Sequence, residues 1–145
     1  MIMNYLKVLV KEIHSVVVAT VDETGHPHTA VMDMMWENGK TVYFLTADFK
    51  PLYKRLKEDG RVAVTGMTQG AGTMDRKSIS LTGQVEWIGT EHLKELLEAN
   101  PYMYDIYPTE EGRSHLQVFR FKKEVGDYYD LTQLPPYQAR FEIEV

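Results

Sequence analysis

The sequence predicts a mostly antiparallel β protein, either a barrel-like β fold or an α+β sandwich, with helices set between five to seven strands. Three observations carry this expectation. Runs rich in β-branched and aromatic residues recur at Ser15–Val21, 41–46, Arg61–Met67, 76–88 and 115–121, and these residue types suit a pleated, half-buried surface. Turn-forming Asp22-Glu23-Thr24-Gly25, Asn38-Gly39 and Asp59-Gly60 separate several of them. In the longest run Ile79, Leu81, Gly83, Val85 and Trp87 alternate with mostly polar neighbours, the period of a strand with two unlike faces.

The elements follow in order. Ile2, Leu6, Leu9 and Ile13 fall on one face of an amphipathic helix over residues 1–13. SVVVATV (15–21) is the first strand, and Gly25 allows a turn with positive φ. PHTAVMDMMW (27–36) is the second strand, and Asn38-Gly39 signals a hairpin into a third, TVYFLT (41–46). Two tight turns and three strands predict an antiparallel meander. A helix opens near Phe49 with Leu52, Tyr53 and Leu56 turned inward, and Gly60 caps its end. RVAVTGM (61–67) is the fourth strand, residues 68–75 are a glycine-containing connection, and 76–88 form a fifth strand that Gly83 can bend or bulge. A helix starts at Thr90 with a Leu93, Leu96, Leu97 stripe and breaks at Asn100-Pro101. Residues 102–107 add a short helical piece, and 110–113 are a polar connection. Residues 115–121 form a sixth strand, 126–131 a seventh or its continuation, and the tail 138–145 alternates as a strand.

Length and composition narrow the function. The 145 residues suit a single domain over 1–145, and 43% hydrophobic with 26% charged residues is ordinary globular composition. A net charge of −5 gives no basic excess, so no nucleic-acid partner is expected. No apolar run approaches the ~20 residues of a membrane span, and the first residues lack a signal-peptide pattern, so the expected location is cytoplasmic. Cysteine is absent, which excludes disulfides and thiolate chemistry. His26 and His28 have a spacing that a metal could use, but His14, His92 and His115 are scattered, and no metal is expected. Asp33, Asp75 and Glu86 lie in different elements and suggest no acid/base pair. No nucleophile-elbow, phosphate-loop or zinc-helix motif is present. Nine Tyr and eight Met suit either packing or the lining of a flat aromatic ligand or subunit interface. Any chemistry must then be supplied by a cofactor.

The junction between the third strand and the following helix is the candidate site. Thr46 offers a hydroxyl and Lys50 a charge beside the first helical turn, whose N–H groups lack intrahelical partners and carry the positive end of the helix dipole. Pro51 fits that first turn. Such a junction can hold an anion.

The succession SVVVATVDETGHPHTAV, NGKTVYFLT, ADFKPLYKRL, RVAVTGM and SISLTGQVEW resembles the flavin-binding split-barrel family related to pyridoxamine 5′-phosphate oxidase, with its nitroimidazole-reductase-like and general-stress members. The resemblance runs from the first residue to about Asn100 and more weakly to GDYYDLTQLPP. It implies a six-stranded antiparallel split barrel, usually a homodimer with FMN at the subunit interface, and an oxidoreductase acting on a small-molecule substrate. It implies a phosphate at Thr46, Ala47 and Lys50, and an isoalloxazine ring along the second strand from Thr29 through Ala30 and Val31 to Met32, with His28 near the phosphate. Ala30 and Ser80 stand where many relatives carry Arg, with His28, Lys54, Arg55, Arg76 or Lys77 as substitutes. The alternatives are a flavin carrier or sensor, and a split barrel holding heme or a deazaflavin.

Overall fold

The computed structural model describes residues 4–145, so Ile2 of the predicted helix face lies outside them. The chain folds as one curled antiparallel sheet in a split barrel, with short helices around it. Strand β1 is Ser15–Val21, β2 Pro27–Asp33, β3 Trp36–Glu37, β4 Val42–Ala47, β5 Arg61–Met67, β6 Lys77–Trp87, β7 Leu116–Asp130 and β8 Tyr137–Glu144. The order is β2-β1-β5-β6-β7-β4-β3, with β8 also on β7. No helix among the described residues is long and apolar enough to cross a membrane.

Helix α1 covers Tyr5–Lys7 and continues as a wider π-type turn through Val8–Ile13, which buries Val8, Leu9, Val10 and Ile13 against the barrel. Helix α2 is Pro51–Glu58, α3 Leu93–Ala99, α4 Met103–Ile106 and α5 Glu110–Arg113. The β-branched inner face of β1 (Val16, Val18) meets Val62, Val64, Ile79, Leu81, Phe119 and Phe121 in the barrel core. A second core lies outside the barrel, where Tyr43, Leu45 and Ala47 of β4 pack with Leu96 and Leu97 of α3 and Met103 of α4. Strand β4 is therefore buried on both faces.

Several sequence expectations change. The three-strand meander forms only in part: β1 pairs with β2 and the Asn38-Gly39 hairpin joins β3 to β4, but β2 and β4 share no ladder, since β4 pairs with β7 and β2 is left at one end of the sheet order. The second strand stops at Asp33 because the Met34 N–H turns to the His14 carbonyl at 2.6 Å and the Met35 N–H to Tyr43 at 3.0 Å. Of the two readings open for residues 126–131, the continuation holds: β7 is one 15-residue strand, carried through Lys122-Lys123-Glu124 by its ladders to β6 and β8. The helix expected at Thr90 begins at Leu93, after His92 takes a left-handed conformation at φ 61°. The register irregularity in β6 falls between Gln84 and Val85, next to the Gly83 expected to bend the strand.

The middle rows on the outer face of β2, β1, β5 and β6 carry uncharged side chains, with Asp33 of β2 and Arg61 of β5 charged beyond them. One row across the ladders is Val31, Val17, Thr65 and Ser80; the next is Thr29, Ala19, Ala63 and Thr82. Val31 is 72% exposed and Val17 40%.

Candidate anion and cofactor cleft

The site sits at the split of the barrel, where the edge strand β2 faces β4 over the start of α2. Alternation along β4 puts Thr46 on the inner face with Val42 and Phe44. Thr46 is 3% exposed, and its Oγ1 has no hydrogen-bond partner. A buried hydroxyl without a partner costs about 1–3 kcal/mol, so its position calls for something to bond. Ala47 points the other way, into the second core, and its carbonyl accepts the Lys50 N–H at 3.1 Å.

Thr46 lines a cleft of about 300 Å³ together with Ala30, Val31 and Met32 of β2 and Lys50, Pro51, Leu52 and Arg55 around α2. Lys50 is the extended residue before α2 and is exposed. Among the described residues, neither Lys50 nor Arg55 has a carboxylate within 4.0 Å. The helix start supplies fewer amides than the sequence suggests. Pro51 has no N–H, and the Tyr53 N–H donates to the Lys50 carbonyl at 3.1 Å. Anion recognition therefore falls mainly on side chains. One end of the cleft is cationic and hydroxylic, and the other is apolar.

Five of the eight expected cofactor residues line this cleft: Ala30, Val31, Met32, Thr46 and Lys50. Thr29 lies on the outer face opposite Ala19 and does not line it. His28 stands opposite the buried Thr20, and its Nε2 is 2.8 Å from Asp22 Oδ2. The Thr24 hydroxyl and then His28 hold the Asp22 carboxyl well below the usual carboxylate range. His26 lies before β2 and bonds Thr24 instead, so the two histidines do not converge on one point.

Arg55 is the residue that the sequence underrated. Its helical neighbourhood resembles a solvated face, yet it lines the cleft and its Nε donates to Thr20 Oγ1 at 2.8 Å. The partner is 35 positions away, so no local pattern reveals it.

The cleft is not the largest concavity. A trough of about 490 Å³ on the outer sheet face is lined by residues such as Ala19, Val21, Pro27, Ala63 and Thr82. Its one charged residue, Arg61, pairs with Asp59 at 2.7 Å. A second apolar trough of about 410 Å³ on that face includes Val17, Thr65, Met67 and Val31. Val31 lines both this trough and the anion cleft.

Residues 4–129 match the family described as pyridoxamine 5′-phosphate oxidase. Among solved structures the chain is similar to a nimC/nimA family protein from Clostridium acetobutylicum. That likeness has a TM-score of 0.73 and 23% identity, over 96% of this chain and 87% of that one. A heme-binding protein from Mycobacterium smegmatis matches at TM-score 0.69 and 12% identity; 96% of this chain covers 59% of that longer one. A pyridoxamine 5′-phosphate oxidase-related, FMN-binding protein from Nostoc punctiforme matches at 0.62 and 11%, over 91% and 86%. At these identities the likeness shows the fold. No curated protein matches the chain.

Proposed function

The chain belongs to the pyridoxamine 5′-phosphate oxidase family, and from that premise we propose that it is an FMN-dependent oxidoreductase, a homodimer acting on a small molecule. One observation carries the proposal: among the described residues, a buried Thr46 hydroxyl without a hydrogen-bond partner shares a cleft with two cations that have no carboxylate partner, Lys50 and Arg55. A phosphate monoester supplies what all three lack. Its oxygens accept from the hydroxyl, and its charge meets the ammonium and guanidinium in charge-assisted bonds. The Ala30, Val31 and Met32 side supplies a surface for a flat, largely apolar ring.

Bound FMN supplies hydride or electron transfer. The chain's own groups hold and orient. Lys50 and Arg55 hold the phosphate end, Thr46 gives it a directional bond, and β2 presents a wall of uncharged side chains. Ala30 and Met32 share the inner face of β2 with the barrel core, so that part of the wall is rigid.

The outer sheet face supports the homodimer. Two adjacent rows from β2 to β6 contain no charged residue, and Val31 belongs to both that face and the cleft. A second copy on this face would bury the exposed apolar side chains and cover the open side of the cleft. A cleft of about 300 Å³ is at the small end of ligand sites, about 300–1,000 Å³, which agrees with a site completed by another chain.

Anaerobic mixing of the FMN-loaded protein with NADH or NADPH tests the enzymatic part. Bleaching of the flavin absorbance is expected. Bound flavin that neither nucleotide reduces would argue for a carrier or sensor instead.

A further inference from the structure

Four carboxylates flank the guanidinium side of α2, and Arg55 pairs with none of them. A small cavity of about 160 Å³ beside the cleft is lined by Asp22, Glu23, Glu58 and Asp59 together with Arg55. An arginine on a flexible stem beside such a group ordinarily takes a carboxylate partner in bidentate geometry. Here two of the acids have other partners: Asp22 takes Thr24 and His28, and Asp59 takes Arg61. Arg55 instead gives its Nε–H to Thr20, a residue 4% exposed on the inner face of β1. Among the described residues neither terminal nitrogen of Arg55 has a hydrogen-bond partner.

We infer that Arg55, held by Thr20, is the second phosphate clamp of the cleft and makes it selective for phosphorylated over unphosphorylated flavin; this rests on the FMN reading above. The buried hydroxyl of Thr20 tethers one nitrogen of the guanidinium, and the two terminal nitrogens keep their donors for an anion in the cleft that Thr46 and Lys50 also line. Fixing the fork in advance lowers the ordering cost of binding. A lysine in the same place cannot bond Thr20 and an anion with the same planar geometry. Thr20 acts through Arg55 and is a positioning residue. Its neighbour across the β1–β2 ladder is His28, which is engaged with Asp22. Of the basic groups at this corner, His28 and Arg61 are engaged with Asp22 and Asp59, and Arg55 is the one that lines the cleft.

The test is a pair of equilibrium titrations, with FMN and with riboflavin, on the wild type and on Arg55→Met, Arg55→Lys, Thr20→Val and Lys54→Met. Lys54 is an exposed neighbour on α2 that does not line the cleft, so Lys54→Met removes the same charge as Arg55→Met without touching the site. Arg55→Met is expected to weaken FMN by about tenfold to a hundredfold and to change riboflavin by less than about twofold. Arg55→Lys should recover only part of the loss, and Thr20→Val should weaken FMN several-fold with riboflavin unchanged. Lys54→Met should follow the wild type. Equal FMN losses in Arg55→Met and Lys54→Met would reduce the effect to general electrostatics and overturn the inference. An unchanged FMN-to-riboflavin ratio in Arg55→Met would also overturn it. A wild type that binds no flavin defeats the FMN reading itself, whereas a wild type that prefers FMN, with an Arg55→Met variant that prefers it by the same factor, defeats the Arg55 assignment alone. Circular dichroism of each variant separates loss of binding from loss of fold.

Discussion

In the FMN reading, stability and function pull in opposite directions at Thr46. Its Oγ1 is buried without a partner, so Thr46→Val replaces an unsatisfied hydroxyl with a methyl group of nearly the same size. The apoprotein is expected to gain about 1 kcal/mol in denaturant unfolding, while FMN affinity falls several-fold. A variant that lost stability and kept its affinity would mean that the hydroxyl serves the fold. Lys50 has no such structural duty, being exposed and without a side-chain cap bond. Lys50→Ala should leave the melting temperature nearly unchanged and weaken FMN by about tenfold to a hundredfold. Both residues could be picked from the sequence because their meaning is local: a strand end, a short loop, a helix start. Arg55 is only one of five basic residues that the sequence offers as substitutes at the phosphate, since what sets it apart is Thr20 in another element.

At the scale of elements, the long strand β7 hides the least expected group in the molecule. Glu124 follows Lys122-Lys123 in a charged run, yet it is 1% exposed and, among the described residues, neither carboxylate oxygen has a partner. It faces Gly83 across the β6–β7 ladder. A Cβ on Gly83 would collide with the Lys123 carbonyl and with Glu124 Oε2, so the glycine leaves room for the carboxyl. Burial raises the Glu124 pKa to about 8. The folded state then keeps a proton that the unfolded chain releases above its ordinary value near 4.5. This contribution to stability is fully present below about pH 4.5, declines as pH rises towards 8, and is flat above that. Between pH 5 and 8 the wild type should lose roughly 2–4 kcal/mol from this group, and Glu124→Gln should lack that slope. Urea unfolding at several pH values reads it directly, and equal slopes in the two proteins would place the ionised carboxylate in contact with solvent. Gly83→Ala is expected to be more damaging than most exposed-strand substitutions, because the added methyl meets backbone.

At the scale of the whole molecule, the strands were more legible in the sequence than the topology. Strand periodicity located β1, β5 and most of β6, and the resemblance supplied the cleft walls. The pairing partners were out of reach, because β4 joins β7 some 70 residues away and leaves β2 at one end of the sheet order. The cleft exists only because the barrel is split there, with β2 and β4 meeting over α2 without sharing a ladder. The same split leaves two uncharged rows on the outer face, one of which reaches Val31 on the edge strand β2. Val17 is exposed at the middle of that face, away from the cleft lining. Val17→Asp would bury a carboxylate in any interface formed there, so sedimentation should show the wild type as a dimer and this variant as a monomer with weaker FMN binding. A monomeric wild type that binds FMN fully would contradict the shared-interface site.

The central claim is that the cleft at Thr46, Lys50 and Arg55 takes a flavin through its phosphate. Equilibrium titration of the apoprotein with FMN, riboflavin and hemin, followed by flavin fluorescence and heme absorbance, tests this most directly. FMN is expected to saturate one site per chain and to bind at least about tenfold more tightly than riboflavin. Uptake of hemin with no binding of FMN, or equal affinity for FMN and riboflavin, would contradict it.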